Sequence, residues 1–298
     1  MPRHPAVRLP PAASSESVAV NALYHPGELA VQQRMGQTEI AERVGRMVRQ
    51  EIPAAAADFL TDQPLIVLAA ADDAGRLWTS LIAGAPGFVR AEDARTVTIS
   101  GLPAACDPLH DALQRTRPVG LIAVQPQTRR RMRVNGTAEP ISGGVRIRTE
   151  QVYSNCPKYI TRRHVEAVRP TALPRAHRTV ILSEDHRRTI VATDTFFIGS
   201  ADLEGNTDAS HRGGNPGFLQ VLSPTRLRWP DYRGNSMFMT LGNISANPRC
   251  GLLIPDWHTG ATLQLTGTAE IGWKWRVPTD WVHAVLESCS PMSGVKGR

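Results

Sequence analysis

Two stretches of sequence that lie 130 positions apart carry the same pattern. Residues 68–75 read Leu-Ala-Ala-Ala-Asp-Asp-Ala-Gly, and residues 198–205 read Ile-Gly-Ser-Ala-Asp-Leu-Glu-Gly. Each is an apolar run that ends in an Asp-x-x-Gly turn, which is typical of a β-strand entering a tight hairpin. Both stretches therefore predict a strand and a turn, and their likeness suggests that the chain contains a repeat.

The likeness continues along the chain at an almost constant spacing. Residues 86–88 and 216–218 both read Pro-Gly-Phe at the offset of 130, and residues 136–139 and 267–270 both read Gly-Thr-Ala-Glu at an offset of 131. An ordered series with one single-residue slip indicates duplication, and a period this long makes each copy a domain. We predict an N-terminal tail, a first copy with its connector, a second copy and an atypical C-terminal tail, at residues 1–37, 38–165, 175–272 and 273–298.

Short strand signals dominate both copies. Residues 131–134 and 262–266 alternate between polar and apolar with period two, as half-buried antiparallel strands do. No glycine-rich nucleotide loop follows a strand, which argues against a Rossmann domain. We predict a mainly β fold of antiparallel sheets with a few helices, placed at residues 39–52, 54–60, 108–115, 184–192 and 236–247.

Composition sets limits on the function. The 298 residues are 41% hydrophobic and carry a net charge of +7, which fits a globular protein with an anionic partner. The basic run Arg129 to Arg131 with Arg133 is interpreted as the solvated edge of a hairpin, so neither nucleic acid nor a membrane is expected as a partner. No apolar run is long enough to span a bilayer, and the four cysteines show no metal-site spacing, so a cytoplasmic protein with reduced thiols is expected.

The second copy holds the residues best suited to a phosphate. Ser210, His211 and Arg212 stand on one predicted strand and are followed by a Gly-Gly pair. Arginine offers a planar fork of donors to a phosphate, and glycine lets a ligand approach the backbone. The alternative for residues 213–217 is a tight hairpin without a ligand.

Two further segments carry candidate ligand contacts. Asn235 and Ser236 precede a predicted helix that carries Thr240 and Asn243 on one face, although Asn235 or Ser236 would serve equally as a helix N-cap. In the connector, Cys156 is followed by Lys158, which could pair with an anion, and by Tyr159, which could stack on a ring. No metal motif and no nucleophile motif is present, and no catalytic residue is assigned.

These motifs resemble a known family. Residues 247–254 (Asn-Pro-Arg and an apolar strand) followed by residues 263–270 resemble the barrel tail of the pyridoxamine 5′-phosphate oxidase-like FMN-binding split-barrel family. The sequences of residues 156–160 and 241–244 resemble those of a subgroup of this family whose chains contain two copies of the barrel. The resemblance implies two tandem antiparallel split β-barrels, with FMN bound between barrels, usually across a homodimer interface, here also available as a pseudo-dimer inside the chain.

The resemblance also implies a function and a ligand set. It implies an FMN-dependent oxidoreductase or oxidase that acts on a small molecule, with FAD or a deazaflavin as open alternatives to FMN. Pyridoxamine phosphate is disfavoured as substrate because residues 210–214 depart from the family's strand. The other candidate is a non-catalytic flavin- or haem-binding protein, with His211, His258 or His283 as haem ligand.

The two copies are not expected to be equivalent as phosphate sites. At the places that match the second copy's donors, the first copy offers Ser80, Ile82 and the acidic Asp107. A buried phosphate needs several donors and a cation. We therefore expect the phosphate in the second copy, with Trp78 and residues 156–159 forming a wall for the ring or the substrate.

Overall fold

The computed structural model describes residues 23–167, 175–273, 280–291 and 295–297. Within these ranges the chain is mainly β, in antiparallel sheets. The helices are α1 Pro26–Arg34, α2 Thr38–Gly45, α3 Ala54–Thr61, α4 Pro108–Ala112, α5 Glu184–Ala192 and α6 Met239–Ala246. The predicted mainly β class is confirmed, and the closure of the sheets into tandem barrels stays a prediction.

The strands fall into two large sheets and one small one. The first sheet contains β1 Leu65–Ala71, β2 Leu77–Ala83, β3 Val89–Asp93, β4 Thr96–Ser100, β5 Arg117–Gln125, β6 Arg130–Ile141 and β7 Gly144–Ser154. The second contains β9 Ala176–Thr179, β10 Thr195–Ala201, β11 Thr207–Gly213, β12 Gln220–Ser223, β13 Arg226–Asp231, β14 Arg249–Pro255, β15 Thr262–Gly272 and β16 Asp280–Pro291. The small sheet pairs β8 Val165–Ala167 with β17 Val295–Gly297.

The two large sheets share one strand order. The first runs β2-β1-β5-β6-β7-β4-β3, and the second runs β11-β10-β14-β15-β16-β13-β12, with β9 paired to β16 outside that path. The register agrees as well, because Val67 faces Ile122 in the first sheet and Phe197 faces Leu253 in the second. The second sheet extends through β16 past residue 272, and α1 lies within the segment predicted as a tail.

The central strands are buried on both faces, which explains their continuous apolar sequences. In β1, Ile66 and Leu68 point into the core of the first sheet, whereas Leu65 and Val67 join a cluster shared with Phe197 of the second sheet. Side chains alternate across a strand, so each face of β1 packs against a different layer. The two sheets are therefore held together by a common apolar core.

Close backbone contact between the sheets occurs at two matching glycines. A Cβ at Gly120 of β5 would lie 2.5 Å from the backbone of Asp208 and Ala209 in β11. A Cβ at Gly251 of β14 would lie 2.5 Å from the carbonyl oxygen of Leu77 in β2. Only glycine permits this approach, which brings β11 against the first sheet and β2 against the second.

The predicted helices are present, but several are shorter than expected. Residues 184–192 form α5 as predicted, whereas the helix predicted at residues 39–52 ends at Gly45 and the one predicted from residue 108 ends at Ala112. The helix predicted from residue 236 begins at Met239. None of the described helices is long and apolar enough to cross a membrane.

Candidate functional site

A cleft opens where β6 of the first sheet meets β11 of the second and the loop before α6 covers both. Its cavity volume is about 90 Å³, and the figure rises to about 800 Å³ when the space of its open mouth is included. Three arginines line it, namely Arg131, Arg133 and Arg212. We call this cleft the arginine pocket.

Strand periodicity brings these side chains together. Arg131 and Arg133 are two residues apart on β6, and Ser210 and Arg212 are two apart on β11, so each pair shares a face of its strand. Arg130, next to them, is exposed. The interpretation of the whole basic run as a solvated edge is therefore wrong for Arg131, which is half-buried, and for Arg133, which is 8% exposed.

Arg133 is the best-bonded cation in the pocket. Its Nη1 lies 2.9 Å from Oδ2 of Asp208, and its Nη2 lies 2.5 Å from Oγ of Ser210. Tyr153 adds a contact of 3.1 Å between its hydroxyl and Nη1. Asp208 and Tyr153 are buried, so this ion pair is shielded from water and connects the two sheets.

Arg131 has a different kind of partner. Its Nη1 donates to Nδ1 of His211 over 2.9 Å, which requires the tautomer of His211 that carries its proton on Nε2. Burial lowers the pKa of His211 well below its usual range, and the charges of Arg131 and Arg212 lower it further. His211 is therefore a neutral acceptor and does not balance the charge of Arg131.

The pocket holds more positive charge than its bonded carboxylates offset. Asp208 pairs with Arg133 and Asp231 pairs with Arg212, while the described residues provide no carboxylate bonded to Arg131. Burial lowers the pKa of Arg131 to about 10, and Arg133 and Arg212 contribute to this shift. The Nε atoms of all three arginines are buried without a hydrogen-bond partner. Such a set of donors favours an anion.

The mouth of the pocket has an aromatic side. Tyr159 and Tyr232 stack with ring centroids 5.0 Å apart and an interplanar angle of 24°. The Tyr159 hydroxyl donates to the carbonyl oxygen of Arg233 over 3.3 Å, which holds the connector against the loop before α6. Phe218 and Phe238 also line the cleft. The pocket therefore combines a cationic floor with flat apolar walls.

The structure brings most of the predicted site residues to this pocket. Seven of the nine line it, namely Ser210, His211, Arg212, Asn235, Ser236, Thr240 and Tyr159. Lys158 is exposed and is not among its lining residues. Asn243 lines a different cavity, where it bonds to His25 over 2.8 Å and to Ser200 over 3.0 Å.

Asn235 and Ser236 lie in the loop before α6, where either one was a candidate N-cap of the helix. Asn235 accepts from the backbone N–H of Met237 over 3.2 Å, and Ser236 donates to Gln37 over 3.0 Å. The N-cap of α6 is Phe238, which has a left-handed backbone with φ of 58° and makes no side-chain capping bond. Neither Asn235 nor Ser236 therefore caps the helix, because its N-cap lies two residues beyond Ser236.

Trp78 does not form a wall of the arginine pocket. Its Nε1 donates to Asp72 over 3.0 Å, and it lines a separate cavity of about 230 Å³ beside β2. The pocket residues that the sequence reasoning missed are Arg131 and Arg133, with Tyr153 and Asp208 behind them. Period-two alternation in residues 131–134 places Arg131 and Arg133 on one face of the strand, but it does not show that β11 of the other sheet covers that face.

The matching contact, between β15 of the second sheet and β2 of the first, is made by neutral donors. At the offsets of the repeat, Arg133 corresponds to Gln264 and Ser210 to Ser80. Gln264 donates to Ser80 over 2.9 Å and to Asp107 over 2.9 Å, so the strand contact recurs without a cation. Burial raises the pKa of Asp107, while bonds from Ser80, the Leu109 N–H and Gln264 oppose the shift.

Comparisons with known proteins give only remote likenesses. No protein-family model matches the chain, and no curated protein sequence matches it. The solved structures it resembles include a putative pyridoxamine 5′-phosphate oxidase from Lactobacillus delbrueckii, at 18% identity and a TM-score of 0.31, over 37% of this chain and 94% of that one. An FAD-binding protein from Mesorhizobium loti matches at 14% identity and a TM-score of 0.30, over 41% and 100%. An FMN-binding protein from Syntrophomonas wolfei matches at 5% identity and a TM-score of 0.29, over 37% and 85%.

Proposed function

We propose that the arginine pocket binds the phosphate of FMN and that the protein is an FMN-dependent oxidoreductase acting on a small molecule. The observation that carries this proposal is that three arginines line one cleft and that one of them, Arg131, has only a neutral histidine as its bonded partner among the described residues. Arg131 has an uncompensated charge there, and its Nε lacks a partner. A phosphate dianion would supply both the charge and the acceptors, since charge-assisted bonds from guanidinium to phosphate are strong.

The rest of the pocket fits the other parts of a flavin nucleotide. Tyr159 and Tyr232 offer flat faces near the mouth, and aromatic rings bind planar ligands by offset stacking. Thr240 and Ser236 line the cleft beside the arginines and carry hydroxyls suited to a ribityl chain or a phosphate. A bound flavin supplies hydride or electron transfer, while the protein binds and orients it.

The proposal includes a structural part. We infer that the two sheets are the halves of a pair of split barrels, related by the duplication. The shared strand order, the matching register and the equivalent glycines Gly120 and Gly251 support this inference. The pocket is then a site between the two halves, because β6 and β11 belong to different sheets.

An absorbance spectrum of the purified full-length chain tests the cofactor. We expect a yellow protein that releases FMN on denaturation, identified by mass. FAD and a deazaflavin are distinguished by the same measurement. A colourless protein that takes up neither FMN nor FAD at micromolar concentration contradicts the proposal.

Substitution of Arg131 tests the position of the phosphate. Arg131→Ala is expected to weaken FMN binding by roughly 1.5–3 kcal/mol, the scale of a hydrogen bond to a charged group. Thr262→Ala is the matched control, because Thr262 on β15 occupies the position that corresponds to Arg131 in the matching contact between β15 and β2. Fluorescence quenching of FMN measures both affinities, and equal losses in the two variants would place the phosphate elsewhere.

Arg212→Ala gives a second measure at the same site. It is expected to weaken FMN binding by a similar roughly 1.5–3 kcal/mol, although it also leaves Asp231 without its ion pair. Ile82→Val, at the matching position of β2, should leave FMN affinity unchanged. An unchanged affinity in Arg212→Ala would remove this arginine from the binding site.

A further inference from the structure

A second cavity lies beyond the arginine pocket along the same strands. It has a volume of about 570 Å³, within the range of small-molecule sites. On β6, Arg131 lines the arginine pocket and Asn135 lines this cavity, with Arg133 between them on the same face. On β11, Arg212 lines the arginine pocket and Asp208 lines this second cavity. The two strands therefore change from cationic to acceptor-rich within a few residues.

The second cavity is strongly acidic. Among the described residues its lining includes five carboxyl groups and one arginine, namely Glu28, Glu150, Asp202, Glu204 and Asp208 with Arg49. Three of these carboxyl groups are buried, at 5%, 6% and 3% exposure for Glu28, Asp202 and Asp208 respectively. Asp208 is paired with Arg133, which leaves Glu28 and Asp202 as buried carboxyl groups without a bonded arginine among the described residues. We call this cavity the acidic cavity.

An orphaned acceptor provides an independent indication of a ligand. The side-chain amide nitrogen of Asn135 donates to Asp208 over 3.2 Å and to Gln151 over 3.0 Å, which fixes the orientation of the amide. The carbonyl oxygen of Asn135 is then buried without a hydrogen-bond partner, on a residue that is only 9% exposed. Buried polar groups in native proteins nearly always have a hydrogen-bond partner, so we expect a ligand to donate a hydrogen bond to this oxygen.

We propose that the acidic cavity binds an organic cation with a primary ammonium group, such as an aliphatic amine or diamine. An ammonium group is a point charge with three donors and no acceptor, which suits a lining of carboxylates and an amide oxygen. The described residues include no group of three or more His, Cys, Asp or Glu side chains placed to hold a metal ion, so the geometry favours an organic cation. This site does not depend on flavin binding in the arginine pocket.

The titration of Glu28 gives the proposal a pH dependence. Burial raises the pKa of Glu28 to about 8, opposed by the bond from the His25 N–H and reinforced by Asp208 and Asp202. The other titratable groups around it are His25, whose Nε2 lies 3.8 Å from the carboxyl oxygen, and the phenols of Tyr24 and Tyr153. A bound ammonium favours the ionised carboxylate, so binding should release a proton below pH 8 and tighten as the pH rises.

Calorimetric titration of the full-length protein with 1,5-diaminopentane tests the proposal. We expect saturable binding that tightens at least about fivefold from pH 6 to pH 8, with proton release detected by comparing buffers of different ionisation enthalpy. Pentane-1,5-diol, glutarate and magnesium chloride are the matched probes, and none should bind. Absence of diamine binding at millimolar concentration, equal binding of the diol, or tighter binding of magnesium each overturns the proposal.

Two variants locate the bound cation. Glu28→Gln keeps an acceptor for the His25 N–H but not the charge, so it should weaken diamine binding about tenfold and abolish the proton release. Glu139→Gln removes an exposed carboxylate of β6 outside the cavity and should change neither. Arg131→Ala should leave diamine binding intact whatever it does to FMN. Equal diamine affinities in Glu28→Gln and the wild type would overturn the assignment to this cavity.

Discussion

Arg133 illustrates how one buried ion pair depends on both of its members. Arg133 is 8% exposed, and its guanidinium bonds to the carboxylate of Asp208, a residue that is 3% exposed. An ion pair of this kind adds little over a well-packed apolar pair, but removal of one partner leaves the other charge buried and unpaired. We therefore expect the pair to specify how β6 packs against β11 more than it adds net stability.

A double-mutant cycle on this pair tests that description. Arg133→Met should lower the free energy of unfolding by about 3–5 kcal/mol, because Asp208 stays buried without its cation. Combining it with Asp208→Asn should recover much of the loss. Urea unfolding of the single and double variants measures the coupling. Additive losses in the double variant would mean that the two residues do not act as a pair.

Glu28 makes stability depend on pH near neutrality. The pKa of Glu28 is raised from 4.5 to about 8, first by burial, so the folded state keeps a proton that the unfolded chain releases above roughly pH 4.5. The contribution of Glu28 to stability is therefore full below pH 4.5 and is lost as the pH rises towards 8, by up to about 1.4 kcal/mol per pH unit. His211, whose folded pKa is lowered, acts in the opposite direction and only below pH 6.5.

Between pH 7 and 8 the stability should depend on the titration of Glu28 and not on that of His211. Wild-type stability should fall across this window, and Glu28→Gln should flatten the slope while raising stability at pH 8. Glu139→Gln, which alters an exposed carboxylate, should keep the wild-type slope. Denaturant unfolding at fixed pH values measures all three proteins, and a Glu28→Gln slope equal to that of the wild type would show that Glu28 is ionised in the folded state.

At the scale of the elements, the two sheets approach each other most closely at their matching glycines. Gly120→Ala should destabilise the fold by roughly 1–3 kcal/mol or more, because the new Cβ meets backbone atoms of Asp208 and Ala209 that cannot rotate away. Gly251→Ala should behave alike against Leu77 in β2. Gly234→Ala is the control, since its nearest atom lies 4.0 Å from the new Cβ. Thermal unfolding compares the three, and a neutral Gly120→Ala would contradict this packing.

The elements also show what could be predicted from the sequence. The apolar run Leu65–Ala71 and the helix Glu184–Ala192 lie where local pattern placed them, because periodicity and polar flanks determine both. The start of α6 could not be predicted, because Phe238 adopts a left-handed backbone, which is uncommon for a bulky residue. The inward side of Arg131 was equally hidden, since it depends on β11 of the other sheet, which no local window contains.

Across the whole molecule, the two sheets share one strand order, and their two matching contacts have the same construction and different chemistry. Where the arginine pocket has Arg131, Arg133 and Arg212, the matching positions in the other site are Thr262, Gln264 and Ile82. The hydrogen bond from the long strand to the serine is kept in both, from Arg133 to Ser210 and from Gln264 to Ser80. At the second place the contact between strands is made without a cation, and Asp107 accepts bonds from Ser80 and Gln264.

This asymmetry predicts one FMN for each chain. A buried phosphate needs a cation, and the residues described around Ser80 bond Asp107 through a serine, an amide and a backbone N–H, none of which is cationic. Released flavin per chain, measured by absorbance after saturation and removal of free FMN, should therefore be close to one. Since β6 and β11 of a single chain supply all three arginines, the ratio should hold in a monomeric fraction as well as in any dimer. A ratio near two would mean that the site at Ser80 also binds, and a loss of flavin on dilution to the monomer would mean that a second chain completes the pocket.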